Sequence, residues 1–371
     1  MLAQKNVISS VLQWRQAAAK PCTHFKRRAG RPLRAAQAPE SPRHTHTHTH
    51  THTVRESVQQ YYTQLQGSED LKTSACKTKT CAPIPAFMRK YMSDLPEEIV
   101  RRYYGCGTPL PSGISGLRVL DLGSGTGRDC YVAARMVGET GFVTDGSVCV
   151  PALVYRRQLG EIENLTQAAI PDESQDLVIS NCVEVYRVLA PGGEMYFSDI
   201  YCDRRLPQEL RTHPVLLGEC LGGALYTNDF IRLARKAGFT DPRVLEQSEV
   251  EVNDPELREL TGEARFFSIT YRLFKLPGRL EDLCEDYGQV AVYKGTLPGH
   301  THSYALDDHH KFVKNKPMLV CGNTASMVEE TWLKPHFTVT GNRDTHFGLF
   351  DCSGDPAPAS GSSDSSTGAC C

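Results

Sequence analysis

A glycine-rich loop is the first stretch of this sequence suited to binding chemistry. The segment VLDLGSGTGRDCY, residues 119–131, reads as an apolar strand that runs into a G-x-G-x-G loop and then a helix. Glycines at this place let backbone amides approach a ligand closely; the alternative is a purely structural strand-to-helix turn. A dinucleotide fingerprint would need its third glycine at position 128, which is Arg128. The candidate binding residues are Asp121, Gly123, Ser124, Gly125 and Gly127.

Four of the fourteen cysteines form a second candidate set because of where they fall. A thiolate is a soft ligand that suits thiophilic ions. Since no two cysteines have the C-x-x-C spacing, a structural zinc site is poorly supported. The alternative for each is an inert, buried thiol. The four are Cys76 in a loop, Cys106 after a helix end, Cys182 after a strand, and Cys220 in GECLGGALY. Cys81 lies in the same loop as Cys76 and is the alternative candidate there.

Composition and charge exclude some classes of partner. Residues 1–53 carry nine Lys or Arg against the single acid Glu40, so the rest of this chain of net charge −2 is acidic, which argues against nucleic acid. The longest mostly apolar run, 214–226, is too short to span a bilayer and contains Glu219. The length, the irregular cysteine spacing and the lack of a clear secretory signal favour a reducing compartment.

Strands and helices alternate through the middle of the chain. Such alternation predicts a mostly parallel sheet with helices on both faces and ligands outside the carboxyl ends of the strands, where Cys182 is expected. Asp129 and Glu219 flank the candidate residues and either shape the site or are solvated. The predicted strands are Arg118–Leu122, Gly141–Thr144, Asp176–Ser180, Glu194–Asp199 after a turn at 191–193, and Phe266–Phe274; the predicted helices are Asp129–Val137, Leu206–Leu221 and Asn228–Ala237.

Composition divides the chain into four parts. Residues 1–55 form a basic arm that ends in a His-Thr repeat, and we expect it to be disordered or to act as a mitochondrial presequence. The histidines of a floppy repeat impose little geometry on a metal. Residues 56–275 form the main folded domain and residues 276–350 a small mixed C-terminal region. Residues 351–371 form a Ser/Gly-rich tail that ends in two cysteines.

At this point the motifs become recognisable as those of a family. The glycine loop resembles motif I of class I S-adenosylmethionine methyltransferases. The ordered segments RRYYGCG, LDLGSGTGRDCYV, ISNCV, YRVLAPGGEMYFSD and RTHPVLLGECLGGALY strongly resemble the animal arsenite methyltransferases from about residue 56 to residue 275. The resemblance implies an α/β fold: a class I methyltransferase (Rossmann-like) sheet with a smaller C-terminal α+β region and disordered tails, and S-adenosyl-L-methionine as cofactor.

The resemblance also implies a reaction. Arsenite, delivered as a glutathione complex, is expected to be held by Cys182 and Cys220, and the lone pair of arsenic(III) attacks the methyl carbon of the cofactor, which gives mono- and dimethylated arsenicals. Cys76 and Cys106 complete the arsenic site or relay a disulfide to glutathione or thioredoxin. No metal cofactor and no membrane are required. The expected role is arsenic detoxification in the cytosol.

The chain departs from the family in two places. Between the strands at 141–144 and 176–180 there is room for about one crossover where the fold needs two, and no convincing ribose-binding acid follows the second strand, although Asp145 is near. Cys182 runs almost directly into EVYRVL, so most of a helix is missing. Two alternatives therefore stay open: a truncated protein that only binds arsenite through cysteines, and a methyltransferase for another small molecule.

Overall fold

One large sheet forms the centre of the molecule, which we describe from a computed structural model. The structure describes residues 61, 72–75, 84–101, 103, 105–107, 109–124, 127–145, 155–157, 165–166, 169–179 and 184–352. The strands of the large sheet are β1 (Arg118–Asp121), β2 (Phe142–Asp145), β3 (Tyr155–Arg157), β4 (Gln175–Ile179), β5 (Leu189–Cys202), β6 (Leu225–Tyr226), β7 (Arg243–Val250) and β8 (Phe266–Phe274).

The strand order of this sheet is β3-β2-β1-β4-β5-β8-β7, with β6 paired to β5. Strands β1 to β6 pair in parallel, whereas β8 runs antiparallel to both β5 and β7. The carboxyl ends of β1, β4 and β5 therefore share one edge of the sheet, and the loops that follow these strands start there.

Eight helices of the described residues accompany this sheet. They are α1 (Ala86–Met92), α2 (Glu97–Arg101), α3 (Arg128–Val137), α4 (Glu184–Val188), α5 (Gln208–Thr212), α6 (Pro214–Gly218), α7 (Thr227–Ala237) and α8 (Pro255–Thr261). One apolar cluster packs α4 and α7 against β4, β5 and β8, and another packs α1 and α3 against β1, β2 and β4. Burial of these faces is the main force that holds helices to the sheet.

The C-terminal region is built on three small antiparallel sheets. Their strands are β9 (Glu285–Asp286), β10 (Gln289–Tyr293), β11 (Ser303–Ala305), β12 (Lys311–Val313), β13 (Pro317–Val320), β14 (Phe337–Thr340) and β15 (Gly348–Leu349), and the region adds helix α9 (Gly322–Glu329) and a 3₁₀ turn at Lys334–His336. Its apolar core includes Tyr293, Phe312, Met327 and Phe337. This core is distinct from those of the large sheet, although Phe274 of β8 belongs to it.

A buried arginine of the sheet, ion-paired within the sheet, also hydrogen-bonds the C-terminal region. Arg272 on β8 donates to Glu194 on β5 at 2.8 Å, and also to the hydroxyl of Tyr304 at 2.7 Å and the carbonyl of Leu306 at 3.1 Å. Both charged side chains are buried. Because an unpaired buried charge costs several kcal/mol, these contacts fix how the region docks on the sheet.

Three sequence predictions need correction, and one strand was missed. The stretch between the predicted strands at 141–144 and 176–180, expected to have room for about one crossover, contains a further strand, β3, which pairs in parallel with β2. Strand β7 was not predicted. The predicted helix 206–221 is two helices, because Pro214 lacks an amide hydrogen and extends the backbone of His213 before it. The predicted turn at 191–193 is an irregularity inside β5, where Gly192 has a φ of +81°.

The shortened helix after β4 is also visible. Helix α4 is five residues long and is the helix that the structure describes between β4 and β5. The helices predicted at 129–137 and 228–237 are confirmed within one residue, and the strand at 266–274 is confirmed as it stands. The arm 1–55, Cys81 and the tail beyond residue 352 lie outside the described residues. Among the described residues, no helix is both long and apolar enough to span a membrane.

Candidate functional site

The glycine loop lies between the end of β1 and the start of α3. Gly123 has a φ of +88° and Gly127, which caps α3, a φ of +81°. Side chains with a Cβ are strained in this left-handed region, so the turn needs glycine at both positions. The Gly127 amide donates to the carbonyl of Ser124 at 2.8 Å. Gly125 lies outside the described residues.

Asp121 ends β1 at the edge where ligands bind in such sheets. Its carboxylate accepts a hydrogen bond from the thiol of Cys130 over 2.9 Å, and both side chains are buried. Ser124 is buried as well. A narrow backbone turn with a fixed carboxylate beside it fits a cofactor that carries an amino group and a sugar. The loop is therefore compatible with S-adenosylmethionine, the cofactor that the sequence resemblance implies.

A buried network joins the glycine loop to the segment that carries Cys106. Arg128 pairs with Asp129 at 2.8 Å, and its guanidinium lies 3.1 Å from the centre of the Tyr103 ring. The Tyr103 hydroxyl donates to the carbonyl of Gly107 at 2.7 Å and also lies 3.1 Å from Asp129. Burial raises the pKa of Tyr103 well above its usual range, so the hydroxyl stays a donor. Asp129 is thus buried and shapes the site.

Cys106 is held against the large sheet by its neighbours in sequence. The hydroxyl of Ser268 donates to the carbonyl of Cys106. A Cβ added at Gly107 would lie 2.4 Å from Oγ of Ser198, so only glycine permits this close approach to β5. Cys106 also lines a cavity of about 390 Å³ between the sheet and the C-terminal region, together with Glu246, Arg272, His300 and Tyr304.

Cys220 follows helix α6 with a left-handed backbone. Its φ of +66° is unusual for a residue other than glycine, and such strain often marks a functional position. The half-buried side chains of Cys106 and Cys220 pack against one apolar cluster, which we call the edge cluster. Its core includes Ala75, Ile200, Cys202, Leu216 and Phe266. Since Cys202 is the last residue of β5, the edge cluster lies at the carboxyl edge of the sheet.

Glu219 fixes the chain that precedes Cys76. Its buried carboxylate accepts hydrogen bonds from the Lys72 amide at 2.8 Å, the Thr73 amide at 3.0 Å and the Thr73 hydroxyl at 2.7 Å, and another from the hydroxyl of Tyr61. The adjoining Ser74 is bonded to Glu251 through its amide and its hydroxyl. Glu219 is therefore a structural anchor beside Cys220, not a solvated side chain.

The candidate cysteines are thus partly accounted for. The structure brings Cys106 and Cys220 to one cluster, whereas Cys76 and Cys182 lie outside the described residues. Their roles stay predictions. In sequence, Cys76 directly follows Ala75 of the edge cluster, and Cys182 comes three residues after Ile179, the end of β4. Cys202 belongs to the same cluster, but burial raises its pKa to about 11, which leaves it a neutral thiol.

Sequence reasoning did not find the clamp on residues 72–75 or the stacking of Arg128 on Tyr103. An acid inside a mostly apolar run, directly before a candidate cysteine, was the one available signal for Glu219. Asp145 is the last residue of β2 and lies opposite Asp121 in the parallel register, so its backbone is at the carboxyl edge of the sheet.

The chain was compared with known proteins. No protein-family model matches it. It is 46% identical over 335 residues to the arsenite methyltransferase of Aquipseudomonas alcaligenes, which covers 82% of this chain and 96% of that protein. It is 38% identical over 320 residues to the arsenite methyltransferase of Homo sapiens, which covers 77% of this chain and 84% of that protein.

A solved structure extends the comparison to the fold. The arsenic(III) S-adenosylmethionine methyltransferase of Chlamydomonas reinhardtii is 58% identical, with a TM-score of 0.68, over 72% of this chain and 99% of that one. The likeness therefore covers nearly the whole length of two of these three proteins. The glycine loop, the edge cluster and these matches together show that the chain belongs to the arsenite methyltransferase family.

Proposed function

We propose that this protein transfers methyl groups from S-adenosylmethionine to arsenic(III) and so forms mono- and dimethylated arsenicals. The observation that carries the proposal is that Cys106 and Cys220 both pack against the edge cluster, on the same sheet edge as the glycine loop. Reactants held side by side lose less entropy in the reaction than reactants that must collide. Family membership favours this function over arsenite binding alone and over another small-molecule substrate.

The glycine loop holds the cofactor in this proposal. The backbone at Gly123 and Gly127 accepts its close approach, and Asp121 receives its polar groups while the Cys130 thiol fixes the carboxylate. S-adenosylmethionine, when bound, supplies an electrophilic methyl group that the lone pair of arsenic(III) takes up. Tyr103 and Asp129 keep the loop and the Cys106 segment in one arrangement.

The cysteines hold and orient the arsenic substrate. Thiolates of Cys182 and Cys220 replace the thiols that deliver arsenite, because sulfur is the ligand that soft ions prefer. The left-handed backbone at Cys220 fixes the direction of its sulfur, and Glu219 holds the neighbouring chain. Bonding to thiolates leaves the arsenic lone pair available on the side away from the sulfurs.

Cys76 and Cys106 serve the same site in one of two ways. They complete the arsenic ligand set, or they return the oxidised arsenic to the trivalent state: two thiols lose two electrons and two protons and form a disulfide, which glutathione or thioredoxin reduces by thiol exchange. The cavity beside Cys106 gives a reductant access to this sulfur. Such chemistry needs reduced thiols, so we propose a role in arsenic detoxification in the cytosol, with mitochondrial import by the basic arm as the alternative.

The proposal is tested by incubating the purified full chain with S-adenosylmethionine, arsenite and a thiol reductant, and by quantifying methylated arsenic. We expect product from the native chain, loss of at least about 10²-fold in rate for Cys220→Ser, since a misplaced reactant loses that much, and a near-native rate for Cys202→Ala. Equal rates for Cys220→Ser and the native chain would refute the role of Cys220. A folded native chain that binds arsenite without forming product would instead support the binding-only alternative.

A further inference from the structure

A second group of cysteines lies in the C-terminal region, far from the edge cluster in sequence and fold. Cys284 precedes β9, Cys321 caps the start of α9, and Cys352 follows β15. Their three Sγ atoms all lie within 4.8 Å of one another. Among the described residues, no other group of three or more His, Cys, Asp or Glu side chains is placed to hold one ion. We call this group the C-terminal triad.

The fold sets the positions of the three sulfurs. Strand β15 pairs antiparallel with β9, and the Phe350 amide donates to the carbonyl of Cys284 at 2.8 Å, which brings the Cys352 end of the chain to Cys284. The sulfur of Cys321 accepts from the Thr324 amide at 3.4 Å in the first turn of α9. Three separate segments thus converge on one point without a sequence motif.

The surroundings of Cys321 favour a thiolate. A guanidinium nitrogen of Arg243 lies 3.8 Å from its sulfur, and the hydroxyl of Thr324 lies 3.3 Å away. Cys321 and Cys284 are buried, whereas Cys352 is half-buried and leaves a way in from solvent.

We propose that the C-terminal triad binds arsenic(III) through three sulfurs, as a site separate from the methylation site. The proposal rests on the proposed function, which brings arsenite to this protein. Arsenic(III) forms three bonds and keeps a lone pair, so three thiolates complete its shell and give a neutral complex. Structural zinc instead takes four protein ligands, and the described residues offer three here.

The binding step balances without any oxidant. Arsenite, As(OH)₃, exchanges its three hydroxyl groups for the Cys321 thiolate and the thiols of Cys284 and Cys352: three As–O bonds break and three As–S bonds form. Each hydroxyl leaves as water, with two protons from the two thiols and the third from solvent. Arsenic stays trivalent and the sulfurs are not oxidised. The three Sγ atoms already lie within 4.8 Å of one another, so the triad needs only a modest contraction to bind one arsenic(III) ion.

The test uses the full chain in a Cys220→Ser background, which lacks a ligand of the methylation site. Reduced protein, stripped of metal with a chelator, is equilibrated with arsenite, and bound arsenic is measured by mass spectrometry with X-ray absorption for the number of sulfurs. We expect Cys220→Ser to bind one more equivalent than Cys220→Ser/Cys321→Ser, and the arsenic that this difference represents to have three sulfur neighbours. Cys220→Ser/Cys202→Ala is the matched control, and we expect it to keep the additional equivalent of bound arsenite.

Two results would overturn the proposal. The first is equal arsenite stoichiometry with and without Cys321. The second is one equivalent of zinc in the isolated protein that disappears with Cys321→Ser and prevents arsenite from binding, which would make the triad a zinc site. If Cys321→Ser lowers the melting temperature by more than the control, the half-buried Cys352→Ser replaces it, with an expected loss in arsenite affinity of at least 100-fold.

The same variants separate this proposal from the proposed function. Cys321→Ser in the otherwise native chain is expected to keep methylation within twofold, whereas Cys220→Ser loses methylation but keeps arsenite at the triad. A native chain that forms no methylated arsenic would remove the proposed function. The difference in bound arsenite between Cys220→Ser and Cys220→Ser/Cys321→Ser would still show whether the triad binds arsenite.

Discussion

The two cysteine groups of this protein are held in place by different forces. Around Cys106 and Cys220 the surroundings are apolar. The positions of these residues depend on the left-handed backbone of Cys220, the close contact of Gly107 with β5, and the Glu219 carboxylate that binds residues 72–73. Beside the C-terminal triad, a buried arginine supplies charge. Geometry suits a site where reactants must be aligned and then released, whereas charge suits a site that retains its ligand.

The charge at the triad comes from a compact network. Arg243 donates to Asp241 at 2.7 Å and to Asp307 at 2.9 Å, and its contact with Cys321 completes the set. His310 also bonds Asp307. Burial raises the pKa of the Asp307 carboxyl, but hydrogen bonding from His310 and the charge of Arg243 lower it by more. The pKa of Asp307 therefore lies below its usual range, and the carboxylate stays ionised. Because Arg243 lies on β7, the same residue ties the triad to the large sheet.

The largest effect is expected from Arg243→Leu. Two buried carboxylates lose their cation, which typically costs about 3–5 kcal/mol of unfolding free energy, and the triad loses its neighbouring charge. Chemical denaturation measures the free energy, and arsenite titration measures the site. Arg265→Leu is the matched control, because Arg265 pairs with Glu249 at the surface and should cost at most about 1 kcal/mol. Equal losses for both variants would show that the buried network does not hold this region.

The second-largest effect is expected from Glu219→Gln, beside the group of Cys106 and Cys220. Glu219→Gln leaves one acceptor oxygen but turns an amide toward the donors of residues 72–73, and a lost hydrogen bond to a charged group costs about 1.5–3 kcal/mol. The chain before Cys76 should shift, and a displacement of about 1 Å can lower turnover by about 10²-fold. Methylation kinetics at saturating substrates measure this loss.

Two comparisons keep the Glu219 result interpretable. Glu209→Gln changes an exposed carboxylate of α5 and should leave both stability and turnover at native values. Arsenite binding at the triad should also be unchanged in Glu219→Gln, since the clamp and the triad belong to different regions. A turnover for Glu219→Gln equal to that of Glu209→Gln would refute the positioning role.

How much the sequence could predict differs between the two cysteine groups. The strand, glycine loop and helix at 118–137 were predictable because each is a local pattern, and β8 was predictable because apolar and polar residues alternate along it from Phe267 to Leu273. Strand β3 is only three residues long, and β7 alternates weakly, so their patterns carried little signal. Pro214 split one predicted helix, because a local backbone restriction outweighed a long apolar run.

The candidate sites were likewise predictable where the signal in the sequence is local. Cys106 and Cys220 stood out through their flanking motifs, and the fold then placed them together. The C-terminal triad has no motif: its members come from three segments joined only by the pairing of β9 with β15 and by the position of α9. Likewise, the sequence left open whether Glu219 and Asp129 shape the site or are solvated, because Thr73 and Tyr103, which bind them, are distant in sequence. Long-range contacts are what the sequence did not reveal.

The smallest expected effect tests whether the left-handed backbone, and not burial, determines the position of the Cys220 side chain. Glycine adopts a φ of +66° freely, whereas alanine keeps the strained Cβ. Cys220→Gly and Cys220→Ala both remove the thiol, and both should abolish arsenite methylation. We expect Cys220→Gly to be more stable than Cys220→Ala by about 1 kcal/mol, measured by chemical denaturation. If alanine is the more stable of the two, the left-handed backbone is not retained in solution, and the sulfur of Cys220 is positioned by its apolar contacts instead.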